Sequence, residues 1–303
     1  MRWENERESS NVDDNRGQGG GFGGGRVPVF GRGRLSLGTL AVILIGGWLL
    51  GVNPLTLLGM LDGGVMPTQQ QSQQQHVPSA QQQGGAPAGS DEAARFVRVV
   101  LGSTEDVWGN IFKQSGSQYR PPRLELFSGT TRTGCGVGQA GAGPFYCPAD
   151  QRIYIDLSFF RVLQSQLGAH GDTAEAYVIA HEVGHHIQNL TGTLQKMEQA
   201  RRQLGEAQYN QLSVRLELQA DCYAGIWANH SQQAKNWFEA GDIEEAMNAA
   251  AAVGDDNIQG RSGGHVHQES FTHGTSQQRL AWFRIGFESG SVQRCDTFTN
   301  QKP

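Results

Sequence analysis

The chain has 303 residues, enough for one sizeable domain or two small ones with additional segments. Its 42 glycines are unevenly distributed, which indicates that segments unable to form a core adjoin the folded part. The formal net charge is −5 and no dense basic cluster occurs, so we expect no nucleic-acid partner.

The first 61 residues fall into two parts. Residues 17–33 are rich in glycine and poor in apolar side chains, so we predict a disordered cytoplasmic tail over 1–34. Residues 35–61 contain no charged side chain and include the run LSLGTLAVILIGGWLLGV. About 20 apolar residues span a bilayer as a helix, so this segment is long enough with some tilt. A buried core helix is the alternative, but core helices are rarely uncharged over this length. We predict one transmembrane helix.

The flanking charges predict the orientation of this helix. A cleavable signal peptide is a further alternative, but its charged region would be unusually long and no small-x-small cleavage site follows. An uncleaved signal anchor fits better. Basic residues precede the apolar run without acidic neighbours, at Arg16, Arg26, Arg32 and Arg34, and the next basic residue is Arg95. The positive-inside rule predicts a single-pass protein of the cytoplasmic membrane, with a cytoplasmic N-terminus and a periplasmic or extracellular domain.

A tract rich in Gln, Pro, Ser and Gly at 62–90 predicts a flexible linker, followed by a folded domain at 91–303. Alternation of apolar and polar residues predicts strands at 123–127 and 152–157. Helical periodicity predicts helices at 91–112, 158–167, 174–190, 195–230, 242–253 and 275–288. The fold class predicted is α+β, mainly helical with a small β-sheet.

All four cysteines follow the predicted anchor, at Cys135, Cys147, Cys222 and Cys295. An even number of cysteines in an exported domain favours disulfides, with three possible pairings. A Gly/Pro-rich segment between the first two could close a short loop. We therefore expect Cys135–Cys147 and Cys222–Cys295. A cysteine zinc site would need closer pairs such as C-x-x-C, which are absent.

The segment AYVIAHEVGHHIQNL contains the pattern HExxH. On a helix, His181 and His185 are four residues apart and share one face, so their imidazoles can bind one Zn²⁺ ion. Glu182 lies beside them as a candidate general base. Surface histidines on an ordinary helix are the alternative. The apolar neighbours Val178 and Val183 argue for a buried helix, in which unpaired His and Glu side chains would be costly.

A catalytic zinc needs a third protein ligand and one open position. The metzincin pattern would require Gly at 188 and His at 191, where this chain has Gln188 and Thr191. In RLELQADCYAG, Glu217 and Asp221 lie four apart on one helical face. We assign Glu217 as the third ligand, and Asp221 as the acceptor that orients a ligand histidine. An ordinary solvated acidic pair is the alternative.

These residues predict peptide-bond hydrolysis. Zinc lowers the pKa of water and polarises the scissile carbonyl, and Glu182 accepts the water proton. The oxyanion needs a further donor, for which SFTHGTSQQR supplies His273 and Arg279. A looser pair, His265 and His267, lies in a Gly-rich segment and is a weaker candidate.

The motifs HEVGHH, RLELQADCYAG and SFTHGTSQQR resemble the neutral zinc metallopeptidase family of bacteria. The N-terminal MRW, the single anchor and the block TRTGCG…GPFYCPAD…YIDLSFF match as well, so the resemblance covers nearly the whole chain. The HExxH…ExxxD arrangement is more distantly similar to gluzincins such as the CAAX-prenyl endopeptidases, which implies a zincin-like domain. That likeness implies that His273 and Arg279 bind substrate or the transition state, although Gly274 stands where those enzymes typically have Pro. It also implies that strand 152–157 is an edge strand that aligns the substrate.

Three classes of function fit the residues. The first is a zinc-dependent endopeptidase acting on polypeptides. The second is a non-proteolytic zinc hydrolase such as a cell-wall amidase, and the third is an inactive binding module stabilised by zinc. An intact Glu182 argues against the third, because a purely structural zinc site does not need it.

Overall fold

The computed structural model of the chain describes residues 1–17, 88–261 and 266–299. Within these ranges no helix is both long and apolar enough to cross a bilayer. The predicted transmembrane helix at 35–61, the predicted linker up to residue 87 and the second half of the predicted tail, 18–34, lie outside them.

The described residues form an α+β fold that is mainly helical, as the sequence predicts. The α-helices are α1 (Ala88–Gln114), α2 (Ser158–Ser165), α3 (Asp172–Leu190), α4 (Thr193–Gln203), α5 (Glu206–Lys235), α6 (Asp242–Ala252), α7 (Asp255–Arg261) and α8 (Ser276–Ser289). The strands are β1 (Val12–Asp14), β2 (Arg123–Phe127), β3 (Thr130–Thr133), β4 (Gly136–Gln139), β5 (Phe145–Cys147) and β6 (Arg152–Asp156).

The larger sheet has four strands in the order β1-β2-β6-β5. Strands β1, β2 and β6 are parallel, whereas β5 runs antiparallel to β6. The interior position of β6 overturns the expectation that strand 152–157 is an edge strand, because its backbone groups bond to a neighbour on each side. Strands β3 and β4 form a separate antiparallel hairpin.

The N-terminal residues differ from the prediction of a disordered tail over 1–34. Residues 1–17 are part of the folded unit: Trp3 is 5% exposed, and β1 pairs with β2. The sequence pattern missed β1 because it is three residues long and takes its stability from a strand more than 100 residues away.

Other differences lie at element boundaries. Helix α1 begins at Ala88 rather than at 91, and the predicted helix 195–230 is two helices. The backbone is extended at Leu204 and Gly205, where glycine is a poor helix former. Both expected disulfides are confirmed: Cys135–Cys147 ties the β3–β4 hairpin to β5, and Cys222–Cys295 ties α5 to the C-terminal residues.

Helix α3 lies at the centre of the core. Fourteen of its residues are buried, and it packs against α5 and α6. Asp172 and Glu175 in its first turn face the positive end of the helix dipole. A helix covered on nearly all sides is apolar almost all round, so each polar side chain that it buries calls for a partner or for a functional explanation.

Candidate metal centre

The HExxH segment lies in the second half of α3, inside the core. His181 and Glu182 are each 7% exposed. Gly184, between the two histidines, faces Ala220 on α5: a Cβ at position 184 would lie 3.0 Å from both the Cα and the carbonyl oxygen of Ala220. The absence of a side chain there lets α5 cross α3 closely, which brings Glu217 and Asp221 against the histidines.

Each histidine is oriented through its Nδ1 atom. His181 Nδ1 lies 2.8 Å from Asp221 Oδ1, and His185 Nδ1 lies 2.9 Å from Gln188 Oε1. The amide nitrogen of Gln188 donates to the carbonyl of Leu216, which leaves its oxygen to accept from His185. In the neutral form, both rings then carry their proton on Nδ1 and present the Nε2 lone pair.

The two Nε2 atoms converge on Glu217. The distance from His181 Nε2 to Glu217 Oε2 is 3.1 Å, and that from His185 Nε2 to Glu217 Oε1 is 3.4 Å. One ligand atom from each of these residues lies within 4.8 Å of the others. Two imidazoles and one carboxylate form the donor set of a catalytic zinc site with one position left open.

The charges of the cluster and one unpaired oxygen atom in it are also suited to the binding of a cation. Burial lowers the pKa of His181, but Asp221 and Glu217 together raise it to about 9. Burial works against ionisation of Glu217, yet His185 and His181 hold its pKa well below its ordinary value. Burial raises the pKa of Glu182, whose Oε2 atom is buried without a hydrogen-bond partner among the described residues. A water held beside a metal ion would satisfy that oxygen.

Behind His181 lies a buried polar network. Asp221 is fully buried and accepts hydrogen bonds from the Tyr177 hydroxyl at 2.5 Å and from Arg279 Nε at 2.9 Å. Arg279 is 3% exposed and also donates to the carbonyl of Val253. Its Nη2 atom lies 3.9 Å from Glu217 Oε2. The arginine therefore lies against His181 and close to both Asp221 and Glu217, whose negative charges it offsets.

His273 lies in the loop before α8. Its side chain is 50% exposed, and its Nδ1 lies 3.2 Å from Asp255 Oδ1. Asp255 Oδ2 also accepts from the backbone N–H groups of Thr272, His273 and Gly274. Burial lowers the pKa of His273, whereas Asp255 and the charge of Glu217 raise it.

The loop of His273 packs directly on the helix that carries Glu217. Gly274, with φ +90°, lies against Val214 and Leu218, which flank Glu217 on α5. Thr275 then begins α8 with a capping box that also uses Gln278, and this places Arg279 in the first turn. The structure thus brings both His273 and Arg279 close to Glu217: Arg279 Nη2 lies 3.9 Å from the carboxylate of Glu217, whose charge contributes to the raised pKa of His273.

Sequence reasoning missed three polar partners in this site: Tyr177, Gln188 and Asp255. Each acts through a contact with a residue on another element or through a side-chain rotamer, which no spacing pattern encodes. The Thr-x-x-Gln cap at 275–278 was the one local signal near them. His267 is exposed and does not join the cluster, and His265 lies outside the described residues.

A known protein family matches the part of the chain that contains these residues. The chain matches the family described as "Putative neutral zinc metallopeptidase" over residues 1–298. The chain belongs to this family. The match includes residues 1–17 as well as the domain.

Relatives extend over most of the chain. It is 50% identical to the "Uncharacterized protein YpfJ" of Escherichia coli (strain K12), over 98% of this chain and 99% of that protein. It is 40% identical to the "Uncharacterized protein Mb2605" of Mycobacterium bovis, over 80% of this chain and 84% of that protein. No solved structure matches the chain.

Proposed function

We propose that this protein is a zinc-dependent endopeptidase that hydrolyses polypeptides, with His181, His185 and Glu217 as ligands of one zinc ion. The observation that carries the proposal is Glu182, a buried carboxylate with an unpartnered oxygen next to a converging set of two imidazoles and a carboxylate. A zinc site that only stabilised the fold would need no such group. Membership of a zinc metallopeptidase family supports the same assignment.

Glu182 acts as the general base. When bound, zinc supplies Lewis-acid chemistry that lowers the pKa of water and polarises the scissile carbonyl. Glu182 Oε2 accepts one proton from the attacking water and then delivers it to the nitrogen of the leaving amine. Burial of this carboxyl raises its pKa, which keeps it a strong enough base to take the proton and a strong enough acid to return it.

His273 and Arg279 have different roles in this mechanism. His273 is half exposed and its Nδ1 is held by Asp255. The raised pKa of His273, to which Asp255 and the charge of Glu217 contribute, favours the imidazolium, whose Nε2–H can donate to the oxyanion that forms at the scissile carbonyl. Arg279 is enclosed by Asp221, Tyr177 and the carbonyl of Val253. It holds the side chains of Asp221 and Tyr177 in place beside His181. It acts through Asp221 and His181.

The decisive experiment compares the wild type with Glu182→Gln. We expect the variant to retain zinc, measured by elemental analysis, and to lose at least about 100-fold in cleavage of casein or a peptide library. Glu198→Gln is the matched control, because Glu198 is an exposed glutamate on α4 whose one salt-bridge partner among the described residues is Arg202. It should match the wild type.

Two results would point elsewhere. Undiminished peptidase activity in Glu182→Gln would overturn Glu182 as the base. Release of fragments from purified cell wall, with none from proteins or peptides, would replace the endopeptidase with an amidase that uses the same residues.

A further inference from the structure

The N-terminal residues are built into the domain by apolar contacts. Trp3 packs edge-on against Phe96 of α1, with ring centroids 5.2 Å apart, and its indole N–H donates to Asp172 of α3 at 3.1 Å. The backbone of this segment lies directly on α1 at Gly102, where a Cβ would come within 2.7 Å of the carbonyl oxygen of Arg7. These are contacts of a packed core rather than of a loosely attached tail.

Backbone pairing continues along the same segment. The N–H of Ser9 donates to the carbonyl of Arg98, and the N–H of Leu124 donates to the carbonyl of Asn11. The buried Ser9 hydroxyl donates to Glu105, and Asp13 pairs with Arg123 and Arg152 at the edge of the sheet. The segment therefore supplies an edge strand and satisfies polar groups of α1 and β2.

The packing of residues 1–17 onto the rest of the folded unit is incompatible with a chain that crosses a membrane once between residues 17 and 88. The uncharged segment 35–61 lies between residues 1–17 and 88–299 in the sequence. One crossing by that segment would place the two parts on opposite faces of a hydrocarbon layer about 30 Å thick. Strand β1 could not then reach β2.

We propose that residues 1–17 and 88–299 lie on the same face of any membrane to which the chain is attached. The folded unit is discontinuous in sequence and includes the N-terminal strand. This replaces the expectation, drawn from charge bias alone, of a cytoplasmic N-terminus and an exported domain. It does not depend on the proposed enzymatic activity.

The test uses full-length protein in cells and one introduced thiol at a time. Ser10→Cys places a thiol on the exposed surface of the N-terminal segment, and Gln208→Cys places one on the exposed surface of α5. All four native cysteines are in disulfides, so unsubstituted protein supplies the blank. A membrane-impermeant maleimide is applied to intact spheroplasts and, in parallel, after lysis.

We expect both variants to give the same pattern. Labelling of both in intact spheroplasts places the two parts outside the cytoplasm, and labelling of both only after lysis places them inside. Either pattern supports the proposal. Labelling of one variant in intact spheroplasts and of the other only after lysis would overturn it.

A second measurement asks whether the segment is docked in the membrane-bound protein. Trp3→Ala removes a buried ring, and Asn5→Ala changes an exposed side chain of the same segment. In membranes from cells expressing the full chain, we expect protease resistance of the domain to fall at least several-fold for Trp3→Ala and to stay unchanged for Asn5→Ala. Equal resistance of the two variants would show that the segment is undocked and would overturn the proposal.

Discussion

Asp221 Oδ1 lies 2.8 Å from His181 Nδ1, and the same carboxylate oxygen accepts the hydroxyl of Tyr177. The other oxygen is paired with Arg279. One carboxylate thus fixes the ring of a proposed metal ligand while its own charge is balanced by a buried arginine. This relationship decides how firmly the Nε2 atom of His181 is presented to a metal.

Replacement of Asp221 by Asn should weaken zinc binding. Asn keeps an acceptor for His181 but removes the charge that polarises its ring, so we expect the zinc affinity to fall about 10–100-fold. Competition with a chromogenic chelator measures the affinity of the folded fraction, and circular dichroism checks how much is folded. Glu198→Gln serves as the control. Unchanged affinity in Asp221→Asn would show that the contact has no effect on the metal.

Replacement of Gly184 by Ala should separate α3 from α5. The added Cβ would meet Ala220 backbone at 3.0 Å, so we expect a loss of about 1–3 kcal/mol in the free energy of unfolding and weaker zinc binding. The matched control is Gly109→Ala in α1, where no heavy atom lies within 4 Å of the new Cβ. It should stabilise the protein by about 0.5–1 kcal/mol, because alanine is the better helix former. Urea denaturation measures both, and equal effects would contradict the close packing at Gly184.

Asp255 should act on catalysis through His273. We expect Asp255→Asn to lower kcat about 10-fold with little change in KM, because His273 would be held less firmly for the oxyanion. His273→Ala should lower kcat about 100-fold. In the double variant the Asp255 substitution should have almost no additional effect. Additive losses in this double-mutant cycle would mean that Asp255 supports the loop at 272–274 without acting through His273.

The raised pKa of Glu175 predicts that the stability of the fold depends on pH. Burial, followed by the charge of Asp172, raises the pKa of Glu175 to about 7 from an ordinary value of 4.5. Between these two values the folded protein holds more protons than the unfolded chain, so this group makes the free energy of unfolding fall as the pH rises.

Glu175→Gln removes that dependence. Relative to wild type, the variant should gain about 1–2 kcal/mol between pH 5 and pH 8, less than the full shift would give because the side chain is partly exposed. Urea denaturation of both proteins across this range measures the difference, with Glu198→Gln as control. A difference that stays constant with pH would show that Glu175 ionises normally in the folded protein.

Local spacing was enough to predict which residues form the candidate metal centre. Residues four apart share a helical face whatever surrounds the helix, so the sequence alone places His181 beside His185 and Glu217 beside Asp221. The cysteine pairing and the α+β class could also be predicted, from the parity and spacing of the cysteines and from periodicities of two and 3.6.

Long-range packing decided which side chains surround the candidate metal centre and how the N-terminal segment folds. Asp255 holds His273 and Arg279 turns inward to Asp221 through contacts between separate elements. Gln188 contacts His185 within α3, and its amide nitrogen is held by the carbonyl of Leu216 on α5. The N-terminal segment shows the largest difference between the sequence-based prediction and the tertiary structure. Disorder was predicted there, whereas Trp3 and β1 are stabilised by α1 and β2. Contacts between residues far apart in sequence leave no periodic signal, and so the partners of the HExxH helix emerged only from the fold.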